Sequence, residues 1–417
     1  MESRVATHAK GKVYVDKLFV TGMAAKQAII QHGKEKVTDA SMGTIADDDG
    51  NIVCLPSVEE LLRSLPIEDM ISYSPVAGLP SFLEAAVTHT FGKSRPDAYI
   101  RAIASAGGAG AISNVIWNYS NSGDTILTHD WYWTPYETIC KEIGRHLMTF
   151  SFLDTSMKFN LTSFSHMVSH LLVKQDHVVI ILNSPNHNPT GYSLSDHEWD
   201  EIIKYVILDS AKKISKTITL LIDIAYIDFT KDPVKARSFM KKFTHLPSNI
   251  IVAFAFSMSK GFTVYGQRTG ALIGVSSSKS VADEFENAIL VTSRSRWSNV
   301  NRGCMTLLST IYNDKMLLNK VDVEREVYKT LIAKRAEVFI NEAHQFGLSI
   351  LPYHAGFFIT IPCSYPNETS EILADQNIFT APLSKGIRIA ACSVPLSHMY
   401  GLAAKIKHAI TISDAIK

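Results

Sequence analysis

Residues 250–260 read Ile250-Ile251-Val252-Ala253-Phe254-Ala255-Phe256-Ser257-Met258-Ser259-Lys260, an apolar run that breaks into small polar residues and ends on a lysine. A run that is apolar throughout, rather than alternating, is how a strand covered on both faces reads. Comparable runs occur at 101–105, 125–128, 146–152, 177–183, 218–223 and 271–275, separated by stretches that suit helices. One of these stretches, 195–208, opens with Ser195 as N-cap and Glu198 in place to complete a capping box. Strand alternating with helix predicts an α/β sheet flanked by helices on both faces.

After about residue 310 the pattern changes. Residues 322–346 read as a long charged helix with Val323, Val327, Leu331 and Ile332 on one apolar face. Short strands follow around 356–361 and 386–391, then a helix near 397–413. At 417 residues the chain exceeds what one core serves. The expected division is a large domain, 48–310, and a small one made of 1–47 with 311–417.

Composition narrows the function. Lys and Arg number 41 against 40 Asp and Glu, a net charge of +1. That balance offers no field for nucleic acid or an anionic membrane. The apolar runs fall well short of the roughly 20 residues that a membrane helix needs. Five scattered cysteines (Cys54, Cys140, Cys304, Cys363 and Cys392) form neither a disulfide framework nor a metal-ligand spacing. The stretch Met1-Glu2-Ser3-Arg4-Val5 has no apolar core of a secretory leader. The expectation is a cytoplasmic protein with reduced thiols and no metal.

In open α/β sheets, ligands bind beyond the carboxyl ends of the strands, and the chemically distinctive residues fall at those ends. Lys260 follows an apolar strand and sits among small residues. A desolvated amine has a lowered pKa, and the neutral form is the nucleophile for a carbonyl. Ser257, Ser259 and Arg268 could cradle a phosphate. Gly107-Gly108-Ala109-Gly110 would turn backbone N–H groups toward an anion at a helix start. It is a poor dinucleotide fingerprint, because the run continues to Ser113 where a packing Gly or Ala belongs. Asp223 closes a strand and suits a protonated pyridine nitrogen, which it would keep an electron sink. Asn188 and Tyr226 offer hydrogen bonds, and Trp133 offers a stacking face.

The ordered set Asn183-Ser184-Pro185-Asn186-His187-Asn188-Pro189-Thr190-Gly191, Asp223-x-Ala225-Tyr226, Ser257-x-Ser259-Lys260 with Arg268, and Gly386-Ile387-Arg388-Ile389 resembles the class I/II aminotransferases of pyridoxal-phosphate fold type I. The stretch 41–50, Ser41-Met42-Gly43-Thr44-Ile45-Ala46-Asp47-Asp48-Asp49-Gly50, is similar to the entry segment of the aspartate and aromatic subgroup. The likeness spans roughly 40–395. It implies a mostly parallel seven-stranded sheet with a smaller α+β domain, and a homodimer with shared active sites.

Carried over residue by residue, the resemblance gives Lys260 the internal aldimine and the proton shuttle. Asp223 would pair with the ring nitrogen, Asn188 and Tyr226 with the ring oxygen, and Trp133 would stack on the ring. Gly108, Ala109, Ser257 and Arg268 would hold the phosphate, joined by Tyr73 of a second subunit. Arg388 would clamp the substrate carboxylate, and Gly43 would line the entrance. Ala109 stands where many relatives carry a hydroxyl, so backbone must serve there. In Ser293-Arg294-Ser295-Arg296-Trp297, Arg294 aligns with the partner-donated arginine that binds acidic side chains, with Arg296 the alternative.

The implied reaction is ping-pong transfer of an amino group from an aspartate-type, aromatic or apolar amino acid to a 2-oxo acid such as 2-oxoglutarate. A lyase or decarboxylase on the same fold is the rival. A non-catalytic cofactor-binding regulator is the alternative of another class, and the near-neutral charge disfavours it.

Overall fold

The computed structural model describes residues 4–13, 16–212 and 215–416, with 207–212 described in backbone only. Residues 1–3, on which the reading of a leader partly rests, lie outside the described residues.

All seven apolar runs are strands: β1 (Tyr99–Ser105), β2 (Thr125–His129), β3 (His146–Phe150), β4 (His177–Asn183), β5 (Thr217–Asp223), β6 (Ile250–Ser257) and β7 (Gly270–Ser276). They form one sheet in the order β1-β7-β6-β5-β4-β2-β3. Neighbours are parallel except around β7, which runs antiparallel to both β1 and β6. Alternate side chains serve two cores. Val178, Ile180 and Leu182 of β4 join Leu220 and Ile222 of β5 on one face. Val179, Ile181 and Leu221 point to the other, where helix α1 (Gly107–Asn118) lays Ala111, Ile112 and Val115.

Register then fixes what meets at the carboxyl edge. Asn183 pairs with Asp223, Asp223 with Ala255, and Gly270 lies between Ser257 and Ser105. Helix α2 (Asp196–Lys212) begins with the expected capping box: Ser195 N–H donates to Glu198 at 2.7 Å, and Glu198 N–H to Ser195 Oγ at 3.2 Å.

A separate core gathers around β8 (Phe358–Pro362), β9 (Ala381–Pro382) and β10 (Gly386–Ala390), antiparallel in the order β9-β10-β8. Phe358, Ile359, Ile387 and Ile389 pack there with Ala40, Ile45 and Val53 from the N-terminal part. Helix α3 (Lys315–Gln345) spans both cores, giving Val321 to the first and Ile332, Ala336 and Phe339 to the second.

Two details differ from the sequence reading. Helix α3 starts seven residues earlier than 322, capped by Asp314 on the Met316 and Leu317 amides. Its buried stripe is Val321, Arg325, Ile332, Arg335, Ala336, Phe339 and Ala343, whereas Val323 and Val327 are 58% and 60% exposed. The apolar pattern misled because two arginines occupy inward positions. The last helix is also split, into Leu396–Met399 and Leu402–Ile416, at Gly401 with φ +75°.

Candidate active site

The carboxyl edge opens into a cavity of about 810 Å³. Gly43, Gly108, Ala109, Trp133, Asn188, Asp223, Tyr226, Ser257, Lys260, Arg268 and Arg388 all line it, although they come from both ends of the chain. Asp16, Lys17, Leu18 and Phe19, at the start of the helix Lys17–His32, line it as well.

Lys260 lies in the short helix Met258–Gly261 that follows β6, with the Ser257 hydroxyl capping the Ser259 amide at 3.2 Å. Its amine donates to the Gly43 carbonyl and faces the rings of Tyr265 at 5.0 Å, Phe357 at 5.6 Å and Tyr226 at 5.8 Å. Burial lowers its pKa to about 8, with Arg388 and Arg268 adding to the effect. An ammonium loses its hydration here, so the neutral nucleophile is within reach near physiological pH.

Asp223, 7% exposed, accepts from the Tyr136 hydroxyl at 2.8 Å and from the Ala225 amide at 3.1 Å. Burial pushes the carboxyl up, and both bonds oppose the rise. The loop after β4 is pinned to this strand end. Asn183 Nδ2 donates to the Asp223 carbonyl at 2.8 Å, and the Asn183 side-chain oxygen takes the Asn188 amide at 2.6 Å. Asn188 is thereby aimed inward, where its Nδ2 donates to the Tyr226 hydroxyl at 3.3 Å. Tyr226 is buried, and burial drives its phenol pKa up.

The opposite wall is an anion cradle. Helix α1 begins without a side-chain cap or a first-turn acid, so its leading amides, including those of Gly108 and Ala109, lack intrahelical acceptors. A Cβ on Gly107, at φ +69°, would stand 2.8 Å from Arg268 Nη2, so only glycine lets that guanidinium close on the helix start. Arg268 itself sits in the left-handed region at φ +54° and donates to the Tyr265 carbonyl at 2.8 Å.

Arg388, on β10, reaches the same space from the second core. Its Nη1 donates to Asn188 Oδ1 at 3.1 Å and its Nη2 to the Ser41 carbonyl at 2.8 Å, with the guanidinium 4.0 Å over the Phe358 ring. Its Nε is buried and has no hydrogen-bond partner among the described residues.

Two candidates do not line the cavity of their own chain. Tyr73 is 90% exposed, with its carbonyl taking a bond from Arg302 at 3.3 Å. Arg294 is exposed near the end of the helix Lys279–Arg296. The alternative, Arg296, bonds the Ser113 hydroxyl and lies 5.2 Å over the Trp117 ring, away from the cavity. Sequence reading missed Tyr136, which meets the Trp133 ring edge-on at 5.5 Å as well as bonding Asp223. It also missed Tyr265, whose hydroxyl takes the Ile45 amide at 2.9 Å. Tyr136 lies three residues after Trp133, a helical spacing that could have drawn attention to it.

The fold and the sequence have known relatives. A solved aminotransferase from Anaerococcus prevotii is 36% identical, with a TM-score of 0.96 over 98% of this chain and all of that one. A mitochondrial aspartate aminotransferase of Schizosaccharomyces pombe is 26% identical over 66% of this chain, a match that spans 61% of that relative's length. An aromatic-amino-acid aminotransferase of Paracoccus denitrificans is 23% identical over 82% of this chain and 85% of its own. The fold is also that of an aromatic-amino-acid aminotransferase from Burkholderia pseudomallei covalently bound to pyridoxal phosphate, at a TM-score of 0.76, 18% identity and coverage of 97% and 100%. Residues 35–406 match the sequence profile of aminotransferase class I and II, and the chain belongs to that family.

Proposed function

We propose that this chain transfers an amino group between an amino acid of aspartate, aromatic or apolar type and a 2-oxo acid such as 2-oxoglutarate, in ping-pong fashion and with pyridoxal phosphate. The observation that carries the reading is the meeting of Lys260, Asp223 and Arg388 on one cavity, the first two at adjacent strand ends and the third from the second core.

The residues suit the cofactor. The uncapped start of α1, Ser257 and Arg268 offer donors for a phosphate, and the room made by Gly107 lets the guanidinium approach. Asp223 is a buried carboxylate open to the cavity, fitted to a pyridinium nitrogen. When bound, the cofactor supplies an electron sink and a temporary carrier for the amino group.

This chain's side chains would do the rest. Lys260 provides the nucleophilic amine and, once released, a base that takes the proton from the substrate α-carbon and returns it. Asp223, held by Tyr136, would keep a ring nitrogen protonated. Asn188 and Tyr226 would offer hydrogen bonds to the ring oxygen, and Trp133 would offer a face to stack on. Arg388 orients the substrate through its carboxylate, with its unpartnered Nε among the available donors. A homodimer is part of the proposal, with Tyr73 and Arg294 serving the neighbouring site. So are the division into 48–310 and 1–47 plus 311–417, and a cytoplasmic location; the curated relatives include both cytoplasmic and mitochondrial proteins.

The test is a panel of amino donors against 2-oxoglutarate, with Lys260→Ala as control. Oxo-acid-dependent turnover that the variant lacks supports transamination. Steady release of ammonia or carbon dioxide without an acceptor would favour a lyase or decarboxylase instead. Preference for aspartate over phenylalanine, lost in Arg294→Ala, assigns the acidic side chain to Arg294.

A further inference from the structure

The turn that carries Lys260 rests on a buried ionic cluster that the proposed reaction does not use. A Cβ on Gly261 would stand 2.2 Å from Asp228 Oδ2, so the glycine allows that carboxylate to press against the turn. Asp228 is 7% exposed, accepts from Arg237 Nη2 at 2.9 Å and bonds His89 Nε2 at 3.0 Å. Burial pushes its carboxyl up, but His89, Arg325 and Arg237 outweigh that and hold it well below the usual carboxylate range.

Arg325 forms the other arm. It reaches in from α3, and its Nε donates to the Gly261 carbonyl at 2.8 Å. Its Nη1 bonds Asp322 at 2.7 Å and its guanidinium lies 5.1 Å over Phe262. Ten residues on, roughly 15 Å along a helix that rises about 1.5 Å per residue, Arg335 donates to the carbonyls of Ala46 at 2.9 Å and Cys392 at 3.1 Å. Ala46 lies three residues along the chain from Gly43, and Cys392 four from Arg388. One helix thus holds backbone close in sequence to three residues that line the cavity, Lys260, Gly43 and Arg388.

An arginine is an expensive filler for this position. Its charge is taken from water, and an apolar side chain would pack the stripe at lower desolvation cost. What arginine adds is a directed donor at Nε, which a lysine stem cannot place.

We propose that Arg325 is a positioning residue for Lys260: by holding the Gly261 carbonyl from α3, it fixes the turn and with it the place of the amine in the cavity. The proposal rests on the reading of Lys260 given above. Displacement of a reacting group by about 1 Å is enough to slow a reaction many-fold, so the brace should show in kcat rather than in substrate affinity.

The test compares Arg325→Met with wild type, cofactor bound, by native-state hydrogen exchange and steady-state kinetics. Loss of one directed bond should speed exchange of the amides at 258–263 roughly tenfold and lower kcat by a similar factor. Exchange along β5 and the KM for the amino donor should stay within about twofold. If Arg325→Met does not fold, Arg325→Lys carries the test, with both changes expected in the same direction and several-fold in size. Only the paired, local change supports the proposal. Wild-type behaviour, a rise in exchange throughout the chain, or a change in one readout alone overturns it. Exchange at 258–263 reports the brace whatever Lys260 does, while turnover retained in Lys260→Ala would sink the reading of Lys260 instead.

Discussion

The Tyr136 hydroxyl donates to the Asp223 carboxylate at 2.8 Å, with both groups buried and the Tyr136 ring edge-on to Trp133. Burial favours the protonated acid, and this bond opposes it. Tyr136→Phe removes a lowering influence, so the carboxyl pKa rises further. In the proposed reaction the carboxylate would have to be ionised to keep a ring nitrogen protonated, so activity would be lost first on the acid side. We expect the acid limb of the kcat–pH profile to move up by about one pH unit, the worth of one buried bond to a charged group. An unmoved limb would show that Tyr136 only fills space.

Lys260 carries a second pH dependence. With its pKa lowered to about 8 by burial, the neutral amine grows as pH rises through 8. Cofactor uptake by the apoprotein, followed by absorbance, should therefore accelerate with a midpoint near pH 8 and level off about a unit above. A rate still climbing at pH 10 would mean an ordinary surface-like lysine, and the desolvation argument would fail.

Much of the sheet was legible because its central strands, β4 to β7, are buried along almost their whole length on both faces. An unbroken run such as Val178–Leu182 has one reading, and the carboxyl ends then name the site. Nine of the eleven candidates around the cavity end or follow strands of this sheet, whereas Gly43 and Arg388 come from outside it and were named by the resemblance alone. Helix α3 was less legible. Its pattern search weighed valines, and Arg325 and Arg335 hold inward positions through long stems and backbone acceptors that no pattern displays. Tyr136 escaped for a related reason: its partner is 87 residues away, and only the fold brings them together. Tyr73 and Arg294 remain on the surface of their own chain, where a single sequence cannot say what faces them.

Arg388 offers a separation of substrate from cofactor. Its hydrogen bonds among the described residues go to Asn188 and Ser41, and none goes to Gly108, Ala109, Ser257 or Arg268. Arg388→Lys keeps the charge but loses the fork that matches a carboxylate. We expect KM for both amino acid and 2-oxo acid to rise roughly a hundredfold, about two bonds' worth, while cofactor affinity changes little. A substrate KM within threefold of wild type would remove Arg388 from the clamp.

Arg335 tests stability rather than chemistry. It is fully buried, holds the Ala46 and Cys392 carbonyls and pairs with Asp48 at 2.6 Å. Arg335→Met leaves two buried carbonyls without their donor, about 1–3 kcal/mol for each, while Asp48, half exposed, turns to water for a partner. Asp48 adds a pH signature. Burial opposes its ionisation, but the bond to Arg335 and the Leu396 amide prevail, leaving its carboxyl below the ordinary 3.8. A carboxyl depressed in the fold contributes its stability above the unfolded value and loses it as pH falls through the folded one. The gap in urea midpoint between wild type and variant should thus be widest near neutrality and narrow below about pH 4. A gap of the same width at pH 3 and pH 7 would assign the loss to the two carbonyls alone, because a hydrogen bond to backbone does not titrate there.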